Sequence, residues 1–96
     1  MHILEAIKTA QDVVGKPYRA NGMWAVAVPY LDTAPHGATT TITRETRIQA
    51  LESARVHKIG IVCALMEKPY IYERWEDIRR WGSDDWRLIA RSLVKD

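Results

Sequence analysis

Phenylalanine is absent from this 96-residue chain, so aromatic packing has to come from four tryptophans and four tyrosines. Cysteine is nearly absent too. Cys63 stands alone, which excludes an internal disulfide. Its place in Ile61-Val62-Cys63-Ala64-Leu65-Met66 marks it as a small buried hydrophobe in a reducing compartment. No uncharged run reaches the ~18 residues of a membrane span. Glu5 and Lys8 fall where a secretory leader would carry its apolar stretch, so the expected setting is cytoplasmic, with no membrane. Neither sign of charge dominates: fourteen Lys and Arg stand against twelve Asp and Glu, a formal net charge of +2. That excess is too small to demand a polyanion partner, and the acidic count is too low for a DNA mimic. Gly-rich phosphate loops, Gly-x-Ser-x-Gly turns and His-Glu-x-x-His helices are missing. What remains, 47% apolar and 27% charged, is the composition of an ordinary globular chain and well away from that of disorder. The length is that of one domain, residues 1–96.

The hydropathy pattern predicts an α+β fold. Ile3, Ile7, Ala10 and Val14 recur at helical spacing opposite Glu5, Lys8, Thr9 and Asp12, and Gly15 with Pro17 ends that N-terminal helix. Asn21-Gly22 signals a two-residue hairpin turn, because both central positions of a type I′ turn need positive φ. Tyr18 to Ala20 would then pair with a strand from Met23 on which Trp24, Val26, Val28 and Tyr30 share a face. Ala25, Ala27 and Leu31 occupy the other face, which is either solvated or closely approached by another element. The loop 32–37 leads to a Thr-rich strand from Ala38 to Thr43, giving a small antiparallel sheet of two or three strands. From Arg44 to about Glu67, Ile48, Leu51, Ala54, Ile59, Val62, Leu65 and Met66 describe the apolar side of one long central helix. A competing pattern ends that helix near His57 and makes Ile59 to Met66 a buried strand. Two short C-terminal helices complete the fold. One runs from about Ile71 to Trp81; the other follows Gly82, with Ser83 as N-cap and Trp86, Ile89, Ala90 and Leu93 as its buried stripe.

Catalytic and metal-binding patterns are poor. His57 and Cys63 are six residues apart on the central helix, about 120° round its axis, and an apolar setting raises a thiol pKa. His2, His36 and His57 share no ligand spacing with one another or with Cys63. The carboxylates Glu73, Glu76 and Asp77 sit among arginines 74, 79 and 80, as in a salt-bridged solvent face. The chain is therefore expected to be no enzyme and to carry no cofactor or metal.

Binding chemistry is better represented. Three of the four tryptophans lie between Tyr70 and Arg87, interleaved with arginines, and Trp, Tyr and Arg are the types most enriched at binding hot spots. On a helix over 71–81, Trp81 lies about 240° round from Trp75, so one core face cannot take both. Arg74, Arg79, Arg80, Trp81 and Arg87 are accordingly the candidate protein-binding surface. A second candidate is nucleic acid, contacted by Arg19, Arg44, Arg47 and Arg55. Lys16, Arg19, Arg44, Arg47, Arg55 and Lys58 outnumber Asp32, Glu45 and Glu52 through the middle of the chain. Against it stand the threonines of the ladder and the carboxylates Asp84 and Asp85 at the start of the last helix.

The stretch Met23-Trp24-Ala25-Val26-Ala27-Val28-Pro29-Tyr30, the Thr39-Thr40-Thr41-Ile42-Thr43 strand and the helix after it resemble the hairpin-then-helix build of small bacteriophage accessory proteins, including anti-CRISPR inhibitors. The likeness covers about half the chain in size and build, and no functional residue is carried over from it. It implies a protein that occludes a site on a host protein. The expected function is thus non-catalytic protein binding, by stoichiometric inhibition, adaptor action or self-assembly into a homo-oligomer, with nucleic-acid binding as the alternative.

Overall fold

Residues 2–30, 37–66 and 87–94 are described by the computed structural model. Helix α1 spans Ile3–Val13. His2 is its N-cap, its Nδ1 accepting the Leu4 N–H at 3.1 Å. Ile3, Ala6, Ile7, Ala10 and Val14 are buried while Glu5, Lys8 and Asp12 are exposed, so one apolar stripe faces inward as the spacing predicts. The chain then enters a three-stranded antiparallel meander of β1 (Tyr18–Ala20), β2 (Met23–Pro29) and β3 (Thr39–Arg44), with β2 in the centre. Asn21 at φ 51° and Gly22 at φ 77° close the β1–β2 hairpin, the pair of positive φ angles that Asn-Gly supplies at low steric cost.

Trp24, Val26 and Val28 project to the helix-covered face, where Val26 and Val28 are enclosed and Trp24 packs on the core. Tyr30 stands beyond the end of β2 and is half exposed, so the run of inward residues stops two positions earlier than the alternation suggests. The opposite face is mixed. Ala25 is buried and Ala27 exposed, and Gly15 runs beside Ala27, donating its N–H to the Ala27 carbonyl at 2.9 Å. A Cβ on Gly15 would lie 3.4 Å from that oxygen. The small side chains of β2 thus serve a close backbone approach as well as a solvated surface.

Helix α2 spans Arg47–Leu65. Thr46 opens it with a capping box: its Oγ1 accepts the Gln49 N–H, and Gln49 Oε1 accepts the Thr46 N–H, each at 3.2 Å. Replacing Thr46 by Ala should cost about 1 kcal/mol, read as a lower thermal midpoint, with Thr46→Ser restoring most of it.

The helix runs unbroken through residues 59–65, so the alternative strand over Ile59 to Met66 is not formed. Ile59, Gly60, Ile61, Val62 and Cys63 are all buried. Consecutive helical positions point in every direction round the axis, so α2 is enclosed on all sides over this turn, and only at Ala64 does the helix meet solvent again. The helix as a whole packs against α1, β2, β3 and the C-terminal helix. Burial outweighs the weak helix propensity of Gly60 and the β-branched residues, each worth 1 kcal/mol or less. The first half of α2 differs. Only Ala50 and Ala54 are buried there, and Ile48, expected on the inner stripe, is 79% exposed. The inner line of this half is carried by Ala54, as predicted, and by Ala50, two positions on from Ile48.

Helix α3 (residues 87–94) ends the described chain, its last five residues Ala90–Val94 forming a π-turn. Ile89 and Leu93 enter the core, as their spacing predicts. Gln11 Nε2 donates to the Ser92 carbonyl at 3.0 Å, which ties α1 to this turn. The helix expected over 71–81, the Ser83 cap and Trp86 lie outside the described residues.

Candidate functional site

The register of the sheet builds a row that no stretch of sequence displays. Arg19 on β1 pairs with Trp24 on β2, and Trp24 pairs with Arg44 on β3. Directly paired residues share a face, so two arginines flank one indole on the side that also carries Val26. The Arg19 guanidinium lies over the Trp24 ring, 5.4 Å from its centroid, a cation–π contact worth roughly 0.5–1 kcal/mol where exposed. Trp24 is held from below by the core. Arg44 donates from Nη1 to the Thr43 carbonyl at 2.8 Å, which sets its guanidinium along its own strand. Three residues later Arg47 begins α2, so Arg19, Trp24, Arg44 and Arg47 mark the hairpin end of the sheet. All three arginines are exposed, and so is Ile48 beside them.

A second group continues from the first. Arg47, Leu51, Arg55 and Lys58 recur at i, i+4, i+8 and i+11, which keeps them within about 80° on one side of α2. That side borders a cleft of about 170 Å³ between the turn after α1, α2 and α3. Lys16, Arg55 and Lys58 surround it, over a floor that includes Leu51, Ala54 and Leu93. It is smaller than the ~300 Å³ at which small-molecule sites begin, so it suits a single protruding group. Arg55 Nη1 lies 3.4 Å from Glu52 Oε2, a solvent-screened pair of the kind worth at most about 0.5 kcal/mol.

His57 turns its Nδ1 to the Ser53 carbonyl at 2.9 Å. A carbonyl only accepts, so Nδ1 carries the proton there. Cys63 is 1% exposed, buried as its apolar run predicts. On one helix six residues separate it from His57 by about 9 Å along the axis, too far for a hydrogen-bonded thiolate pair. Among the described residues no group of three or more His, Cys, Asp or Glu is arranged to hold a metal ion, and no helix is long and apolar enough to cross a membrane.

Of the predicted protein-binding surface, Arg74, Arg79, Arg80 and Trp81 lie outside the described residues. Arg87 is exposed at the start of α3. Of the alternative set, Arg19, Arg44 and Arg47 come together at the hairpin end, and Arg55 lies two turns further along α2. The sequence counts Lys16 and Lys58 with Arg55 in its basic excess but gives no sign of Trp24 as the centre of the hairpin end. The helical spacing of Lys58 from Arg47 and Arg55 was a usable signal; the placing of Trp24 between two arginines depends on register and had none. Comparison with protein-family models, curated proteins and solved structures finds no match.

Proposed function

We propose that the protein is a non-catalytic nucleic-acid-binding module that meets the phosphate backbone with the hairpin end of its sheet and the cationic side of α2. The observation that carries this reading is the cross-strand row Arg19–Trp24–Arg44, continued by Arg47 at the start of α2. Arginines held on a sheet end and a helix side suit phosphates spaced along a strand, because each phosphate exchanged for a guanidinium releases condensed counterions. Trp24, held between the core and the Arg19 guanidinium, stiffens the row. With about four phosphate contacts, affinity for a random duplex or single strand should fall roughly a hundredfold between ~50 and ~200 mM salt. A binding titration at several salt concentrations measures this; affinity independent of salt would sink the reading.

A second reading keeps protein binding, of the occluding kind that the likeness to phage accessory proteins implies. It is favoured by Ile48, whose 79% exposure among arginines is apolar surface that phosphates do not use and a protein partner does. In that case Ile48→Ala removes partner capture, while salt has little influence on binding.

A further inference from the structure

The β3 edge of the sheet supports an inference independent of the basic face. Among the described residues β3 has a neighbour on one side only, β2. The phase of its hydrogen bonds follows from the register. Trp24 pairs with Arg44, Val26 with Ile42 and Val28 with Thr40, which carries on to Tyr30 opposite Ala38, and the Tyr30 N–H donates to the Ala38 carbonyl at 3.1 Å. In an antiparallel ladder bonded and non-bonded pairs alternate. Thr40 and Ile42 therefore direct their backbone groups to β2, while Thr39, Thr41 and Thr43 direct theirs away from it. Two observations agree. The Ala27 carbonyl, opposite Thr41, bonds on its other side to Gly15, and Pro29, which has no N–H to give, sits opposite Thr39.

The outward-facing residues are thus three threonines with exposed side chains on one face. Native edges are ordinarily blunted by lysine, proline, a bulge or an inward charge. Between Thr39 and Thr43 there is none of these, and threonine is a favoured strand residue.

We infer that β3 is a self-pairing edge, on which a second copy of this chain adds its own β3 antiparallel across a two-fold axis at Thr41. The segment is palindromic in the residues that matter. Thr41 meets Thr41 of the partner subunit, exchanging both backbone hydrogen bonds, and Thr39 meets Thr43 of the partner subunit, where the Thr39 N–H takes the Thr43 carbonyl in exchange for, or beside, the Arg44 guanidinium that bonds it in the single chain. On the helix-covered face the partly exposed Ile42 comes opposite Thr40 of the partner subunit. The nearest cation, Arg44, falls opposite Ala38 of the partner subunit. The two copies of Arg44 are then about 20 Å apart along the strands, beyond the ~8 Å screening length of physiological salt. A foreign extended peptide would find the same backbone groups without this match of side chains and charge. The result is a continuous six-stranded sheet with isologous symmetry. One strand edge buries less than the ~1,000 Å² of a standard interface, so the dimer is weak and follows protein concentration.

Sedimentation velocity on the full chain over about a hundredfold range of concentration, with amide hydrogen exchange at both ends of the range, tests this. The wild type should pass from monomer to dimer. The Thr39, Thr41 and Thr43 amides should exchange freely when dilute and slow at least tenfold when concentrated, while Thr40 and Ile42 stay protected throughout. Thr41→Lys, which sets two cations face to face on the axis, should remain monomeric with an unchanged circular dichroism spectrum. Thr41→Val should still dimerise. A wild type that is monomeric at every concentration with those three amides exchanging freely overturns the inference and leaves the edge to a foreign strand. So does a dimer that survives Thr41→Lys, because its interface lies elsewhere. Neither outcome bears on nucleic-acid affinity.

Discussion

Ile61→Ala should destabilise the protein by about 2–5 kcal/mol, read as a lower urea midpoint with an unchanged slope. Ile61 is fully enclosed in the turn of α2, residues 59–63, that is buried on every side. Truncation removes apolar transfer energy and leaves a cavity that tight packing does not close. Set against the 5–15 kcal/mol by which a typical domain is stable, this loss is a large share of the total. Ile48→Ala makes the same kind of truncation one face and three turns away, at a residue 79% exposed, and should stay within about 0.5 kcal/mol. Equal losses at both positions would show that α2 is not buried as described.

Reversing charge at the hairpin end should have the second large effect. Arg19→Glu with Arg47→Glu changes two exposed side chains, one over the indole of Trp24 and one at the start of α2. Each lost phosphate contact is worth roughly tenfold at ~0.1 M salt, so the pair should lower affinity for nucleic acid at least ~100-fold and flatten the salt slope by about 2. The fold should survive. Arg19 forfeits only a surface cation–π contact, and Arg47 takes no part in the capping box between Thr46 and Gln49. Glutamate in a first helical turn is also favourable to the helix dipole. A double variant that binds with wild-type affinity and salt dependence would exclude this face as the contact surface. One that has lost its cooperative melt would have to be replaced by Arg19→Gln with Arg47→Gln, which removes the charges without reversing them.

The experiments separate the readings. Salt dependence with sensitivity to Arg19 and Arg47 supports nucleic acid. Salt-independent capture with sensitivity to Ile48 supports a protein partner. Concentration-dependent protection of Thr41 concerns neither.

The residue order by itself determined whatever rests on near neighbours in the chain. The α1 stripe of Ile3, Ile7 and Ala10, the stop at Gly15 and Pro17, and the turn at Asn21-Gly22 are set by contacts or dihedral preferences within a few residues. All were legible, and with them the α+β class and the buried state of Cys63. Tertiary structure decided what depends on partners distant in sequence. Residues 59–66 read as the end of the long helix with a buried strand as the competing reading, because a continuously apolar run has no sharp period, and packing of α2 against α1, β2, β3 and α3 goes with the helix. Ile48 fitted the helical wheel but faces water, since the wheel does not know where the covering layer ends. The candidate site shows the same division. Arg19, Arg44 and Arg47 were recognisable as cations, whereas their assembly round Trp24 comes from strand register, which pairs residues up to twenty positions apart and leaves no local mark. The outward backbone groups of Thr39, Thr41 and Thr43 follow from the same register, because the phase of a hydrogen-bond ladder belongs to a pair of strands and to neither alone.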